Sequence, residues 1–313
     1  LTLAVLWAIG GEVLAWSFQP DRSALDWLLV IAGYIALAYA LCDLAVRWNV
    51  RDLYGVAALG GLAALLHALL LNPEMALVEI PRTLVTRALG AHGILLMGML
   101  LMWLILLGVL PLRRLMLPIA VIMGLCWGTW VRYAPILTDL QAPVIGSDGF
   151  TLVGVGCVLA IIIIAVIGNR LSETEAGQLL LDSYEAGFVA TVAIALLYRQ
   201  FDRGAIDTVS RGVVVGLIGI CLAMQWFRKD STRSYFARPI QVRADWPLLI
   251  GSLTAFLICA VIAFNTSIIG DETLNQLSIV VLIFGVFGLT WLPGVAAILG
   301  LRAVLREVSA TQL

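Results

Sequence analysis

Two imidazoles and one carboxylate stand out in this chain, because a titratable group inside an apolar run must have a partner or a task. His67 and His92 are the only histidines among 313 residues. They fall toward the end of one apolar run and near the start of the next, so two consecutive antiparallel helices would bring them to one depth. That arrangement suits two axial ligands to one haem, or one ligand each to two chlorophyll-type pigments. Arg82 and Arg87, in the segment between them, would then meet carboxylates such as haem propionates. The plainer alternative, which we favour, is that each ring hydrogen-bonds a neighbour or faces head groups. Zinc fits less well, since no third or fourth ligand of the usual kind lies nearby.

Glu12, within LWAIGGEVLAW, is the most deeply placed acidic residue. Alone it would carry protons or bind a cation; paired with an arginine such as Arg132 it would be structural, and pairing is the commoner fate of such charges. Asp43 and Arg47 are spaced for an i,i+4 ion pair, Arg132 and Arg199 are placed to snorkel toward head groups, and Glu185 suits a helix start. The segment NPEMALVEIPRTLVTR offers Glu74 or Glu79 as a base and Arg82 and Arg87 as phosphate grips, the parts of an enzyme for lipid-linked substrates. The usual companions are missing: the chain holds no DxxD pair, no HExxH and no GxSxG. Charges spaced in this way more often form the solvated face of a helix lying on the membrane.

The elements that must position these groups follow from composition. With 62% hydrophobic and 12% charged residues, the chain has too little polar surface to face water all round. Its solvent is a lipid bilayer, and no basic tract suggests a nucleic acid. Closing every backbone hydrogen bond within lipid predicts an all-α transmembrane bundle of about ten spans, near 1–18, 26–47, 53–72, 90–110, 115–135, 151–168, 184–200, 210–227, 246–269 and 277–301. The seventh run is short and flanked by charge; without it there would be nine spans and the termini would lie on opposite sides. The chain opens on Leu1 rather than Met, leaving room for a preceding segment, and residues 1–18 lack the basic start and cleavage site of a signal peptide.

With both termini inside, twelve basic residues fall in inner segments and seven in outer ones, which favours cytoplasmic termini and a prokaryotic inner membrane. Trp16, Trp27 and Trp130 at outer ends, and Trp48, Trp226 and Trp246 at inner ends, are placed as interfacial anchors. The 1–313 chain reads as one transmembrane domain, with 73–89 as an outer loop containing a surface helix and 169–183 and 228–245 as cytoplasmic loops. The long loops 73–89 and 228–245 each follow the third helix of a five-helix half, a spacing compatible with an inverted repeat, although the halves share no evident residues. The five scattered cysteines form no CxxC pair and read as small apolar residues. Gly212 and Gly216, with Gly219 nearby, and Gly93 and Gly98 suggest close helix packing within the chain. CWGTW (126–130), FNTSIIG (264–270) and TWLPG (290–294) are places where a helix can break, with Thr290 able to recapture a carbonyl freed by Pro293 and Asn265, Thr266 and Ser267 able to line an opening.

Three function classes fit. The first is a non-catalytic subunit or scaffold among other membrane subunits, with a haem or chlorophyll-type pigment as its possible cargo. The second is a secondary transporter for an apolar or amphiphilic substrate, and the third an enzyme acting on a lipid-linked substrate. Apart from Glu12 the expected mid-depth groups are hydroxyls and amides such as Ser252, Thr254 and Thr290, which places the subunit first.

Overall fold

The structure, a computed structural model, describes residues 1–17, 22–77, 79–110, 113–137, 144–170, 175–202, 208–226, 234–236, 244–266 and 273–311. Most of the 228–245 loop, including Arg228, Lys229, Arg233, Arg238 and Arg243, and also Arg203 and Ser267, lie outside the described residues. Ten helices carry the fold: α1 (Thr2–Leu14), α2 (Ala24–Arg47), α3 (Leu53–Leu71), α4 (Leu84–Leu106), α5 (Met116–Leu137), α6 (Ser147–Arg170), α7 (Ser183–Asp202), α8 (Thr208–Trp226), α9 (Trp246–Asn265) and α10 (Thr273–Thr311). Among the described residues nine are long and apolar enough to cross a membrane, and α1 is a shorter apolar helix.

Contacts between helices remote in sequence fix their directions. Asp26 meets Arg199, Gly33 packs on Leu196, and Asp43 accepts from the Leu181 amide, so α2 and α7 run antiparallel along their full length. Gly124 abuts the carbonyl of Phe256 and Gly128 that of Ala260, so α5 and α9 run parallel. Gln225 donates to the Gly55 carbonyl and Cys221 lies beside Gly61, making α3 and α8 antiparallel. All three relations require strict alternation, and α7 is therefore a crossing element despite its flanking charges. Its start is capped reciprocally by Asp182 and Glu185, each accepting from the other's amide.

Burial grades from centre to edge. In α4, 89% of the apolar window is buried and in α3 72%, against 11% in α7, so α3 and α4 form the axis of the bundle and α7 part of its rim. Rim helices turn Leu152, Ile194, Val215, Ile258 and Leu282 outward, as a lipid-facing surface requires.

Several local expectations change. The segment 73–89 is not one surface helix: Pro73–Ala76 is a single helical turn, Ile80–Pro81 is cis, and from Leu84 the chain already belongs to α4. Pro73 ends the preceding helix because its ring cannot continue it, and apolar burial of Leu84 and Ala88 draws the next helix inward. CWGTW and TWLPG do not interrupt α5 or α10; Thr290 donates to the Val286 carbonyl at 2.6 Å, its own i−4 partner, rather than to the Leu289 carbonyl that Pro293 frees. Gly212, Gly216 and Gly219 face open space, whereas Gly124 and Gly128 carry the close helix contact.

Candidate functional site

Three central helices contain wide turns, with hydrogen bonds reaching back five residues rather than four. They span Ile9–Leu14 in α1, His67–Leu71 in α3 and Leu84–His92 in α4. Glu12, His67, Arg87 and His92 all lie in these turns, and insertions of this kind concentrate at functional sites because they re-aim side chains.

The side chains converge on one buried network. Glu12 accepts from Arg22 Nη1 at 2.6 Å, from Tyr34 Oη at 3.0 Å and from Asn72 Nδ2 at 2.9 Å. Arg22 also donates through Nη2 to Asn72 Oδ1, which fixes the amide with its nitrogen turned inward. That nitrogen lies 3.1 Å from His67 Nε2, and Tyr34 Oη lies 2.8 Å from the same atom. Tyr34 gives its single proton to Glu12 and so can only accept from Nε2, whereas Asn72 Nδ2 can only donate to it; the two contacts call for opposite tautomers of His67, and Nδ1 takes the complementary role in each. His67 Nδ1 is buried without a hydrogen-bond partner among the described residues, and so is His92 Nδ1. The two rings meet edge to face, with centroids 5.1 Å apart, and His92 Nε2 lies 3.1 Å from Ser17 Oγ.

Gly11 makes the cluster possible, since a Cβ there would overlap Tyr34 Oη and His67 Nε2. Just beyond it α1 ends in a reversal in which Ser17 N–H donates to Glu12 O and Trp16 takes φ 54°. Glycine usually occupies that left-handed position, and another residue costs about 1 kcal/mol there. Trp130 Nε1 donates to the Ala15 carbonyl at 2.8 Å and holds the reversal in place.

By the helical rise of about 1.5 Å per residue, Tyr34, His67 and His92 each lie about 20 Å from the Arg47, Leu53 and Leu106 ends of their helices. In a hydrocarbon layer about 30 Å thick, the cluster is about 10 Å beneath the opposite boundary. On the far side it is closed by Trp7, Leu62, Leu65, Leu95, Leu96 and Met99, all essentially inaccessible. Access therefore comes from one side of the bundle or laterally.

Glu12 is paired, but with Arg22 rather than Arg132: the two largely buried side chains meet at 2.6 Å. Arg132 instead donates to the Phe264 carbonyl and lies over Tyr133. Arg199 does not snorkel: it forms a largely buried ion pair with Asp26 at 2.8 Å. Trp16 and Trp130 are buried supports of the site rather than interfacial anchors. Asp43 and Arg47 pair at 2.7 Å. Arg82 is exposed and paired with Glu79, away from the cluster, while Arg87 is buried and its charge acts on His92. Arg22, Tyr34, Asn72 and Ser17 carried no distinguishing signal in the sequence; the Gly10–Gly11 pair beside Glu12 was the one available hint of a close approach.

A haem between His67 and His92 does not fit. Metal–imidazole bonds of about 2 Å would hold facing ring centres roughly 6 Å apart with a macrocycle between them, whereas these rings touch. Their Nε2 atoms are also engaged by Tyr34, Asn72 and Ser17. Among the described residues no group of three or more His, Cys, Asp or Glu side chains could hold a metal ion. What the arrangement offers is a carboxylate, clamped by three donors, beside an imidazole held through Nε2 and with Nδ1 unpartnered among the described residues. Comparison with protein-family models, curated proteins and solved structures finds no match.

Proposed function

We propose that this membrane protein is an enzyme acting on the oxygen-bearing head of an amphiphilic, lipid-linked substrate, with His67 Nδ1 as the atom that hydrogen-bonds that head. The observation that carries the reading is His67 itself, held through Nε2 by Tyr34 and Asn72 and left with a buried Nδ1 that has no partner among the described residues. A buried polar atom without a partner costs about 1–3 kcal/mol, a cost that a polar substrate head would remove. Clamping by Glu12 and Arg22 supplies the fixed orientation that proton transfer or electrostatic stabilisation at the substrate head requires.

Two features favour an enzyme over a transporter or scaffold. The scaffold reading rested on a scarcity of buried ionic groups, yet Glu12, Arg22 and Arg87 are buried near the two imidazoles. A transporter needs a route past the site, and the side toward Leu62 and Leu96 is solid packing. In the orientation favoured by the arginine count, the site would face the outer half of the membrane.

The test compares lipids of membranes expressing the wild type, His67→Ala or Glu12→Gln at equal levels, by mass spectrometry. We expect a lipid-linked species to change mass only with the wild type. A lipid profile identical in wild type and His67→Ala would overturn the proposal, as would redistribution between membrane leaflets without change of mass, which is the signature of transport.

A further inference from the structure

A hydroxyl stands in the cluster beside the second imidazole. Ser17 Oγ lies 3.1 Å from His92 Nε2, and both side chains are buried. Among the described residues that nitrogen is the hydroxyl's one side-chain partner, so the Ser17 proton is satisfied by donating to it. A hydroxyl within about 2.6–3.2 Å of an imidazole acceptor is the arrangement that activates serine as a nucleophile. The backbone marks the same spot. Trp16, immediately before Ser17, has a left-handed φ of 54°, and a non-glycine residue held in that region is a feature that gathers at active sites. Trp130 on the Ala15 carbonyl and the Ser17 N–H on the Glu12 carbonyl brace the reversal. His92 closes the wide turn Leu84–His92 and touches the His67 ring, so hydroxyl, acceptor and open imidazole atom belong to one contiguous cluster.

We infer that Ser17 and His92 form a nucleophile–base pair, and that the lipid-linked substrate is an ester whose acyl group Ser17 takes up. The inference rests on the enzyme reading and adds to it the bond that changes. Ser17 Oγ attacks the ester carbonyl carbon while its proton passes to His92 Nε2. The bond from that carbon to the alcohol oxygen then breaks, His92 gives the proton to the leaving oxygen, and the acyl group stays on Oγ. Water or a second lipid alcohol attacks the acyl-serine, losing its proton to His92, and Ser17 recovers a proton from His92 as it leaves. During attack the carbonyl's charge gathers on one oxygen. His67 Nδ1 has one hydrogen bond to offer it, as a donor in the tautomer whose Nε2 accepts from Asn72. A phosphoryl group spreads its charge over three oxygens and calls for several cationic partners, whereas Arg22 is committed to Glu12. The charge of buried Arg87 acts at His92, so the proton rests there only until the leaving oxygen takes it.

The test treats the full chain, in nanodiscs of ether-linked phosphatidylcholine, with a long-chain alkyl fluorophosphonate. An activated serine displaces fluoride from this probe and keeps the phosphonyl group. Peptide mass spectrometry should find the adduct on Ser17 and not on exposed Ser23 or Ser147. In His92→Gln the labelling rate should fall by at least about a hundredfold, the worth of a positioned general base. Ser17 against Ser23 in the wild-type protein is an internal comparison, so misfolding of the variant would not blunt the test. In membranes expressing the wild type, the lipid that changes mass should gain or lose one acyl group. Ser17 labelled no faster than Ser23 would overturn the inference, as would a lipid mass change that no acyl transfer accounts for. Lipid turnover with Ser17 unlabelled would remove the nucleophile and keep the enzyme reading; a labelled Ser17 with an unchanged lipid profile would do the reverse.

Discussion

The Glu12–Arg22 pair allows a quantitative test of the network. The side chains are 7% and 3% exposed and approach to 2.6 Å, so each charge depends on the other for its solvation. Glu12→Gln keeps an oxygen for Tyr34 and Asn72 but leaves the guanidinium in a low-dielectric interior. Breaking a buried pair from one side costs about 3–5 kcal/mol. Arg22→Gln should fall at the lower end of that range, because Tyr34 and Asn72 still donate to the stranded carboxylate. The double variant strands neither charge, so its cost should be smaller than the sum of the single costs by about 1–3 kcal/mol. Reversible unfolding in mixed detergent–lipid micelles, followed by helical circular dichroism, measures all four corners of the cycle. Additivity within about 0.5 kcal/mol, or single costs below about 1 kcal/mol, would refute the claim that the pair is buried and mutually dependent.

Other expectations follow from the same geometry. Gly11→Ala should separate Tyr34 from His67 and cost about 1–3 kcal/mol, with loss of lipid turnover; wild-type stability and turnover would contradict the placement of α1. Gly128→Ala, whose new methyl meets the Ala260 carbonyl, should destabilise by about 1–3 kcal/mol. Gly216→Ala, facing open space, should be neutral or stabilising by up to about 1 kcal/mol. The opposite ranking in thermal unfolding would reverse which glycine pair joins helices. Cysteine introduced at exposed Glu79 should react with an impermeant maleimide from outside intact cells, and one at exposed Glu175 only after permeabilisation. The reverse pattern would invert the orientation.

The spans were legible because the demand for roughly twenty apolar residues is local and the membrane imposes it on each run separately. The seventh run was the ambiguous one, and local reading had no remedy: what establishes it is its pairing along the length of α2, from Asp26–Arg199 to Asp43–Leu181. His67, His92 and Glu12 were visible as polar groups in apolar surroundings, and these three do converge. Their partners were not visible, because Tyr34 and Asn72 are ordinary residues whose importance arises only once three helices meet. Arg22 was overlooked for a related reason, since its meeting with Glu12, ten residues earlier, is a tertiary contact that no local spacing announces. The glycines show the same limit. Gly124 and Gly128 share the spacing of Gly212 and Gly216, and only the face each pair presents separates a helix contact from open space.

A purely structural role leaves one feature unexplained. Ion pairs and caps stabilise when every polar atom is satisfied, and replacing such a cluster with packed hydrocarbon is often neutral or better. Among the described residues Nδ1 of both imidazoles lacks a hydrogen-bond partner, as do Trp127 Nε1 and Ser252 Oγ elsewhere in the bundle, while Nε2 of His67 meets both Tyr34 and Asn72. Each open position costs about 1–3 kcal/mol that apolar residues would not incur. Three wide turns deform helices that an undisturbed hydrogen-bond ladder would have kept regular, and they do so where Glu12, His67 and His92 meet. A bundle that needed only to fold in lipid would gain from neither feature. Both make sense if the unmet imidazole atoms are completed by the polar head of a molecule arriving from the membrane.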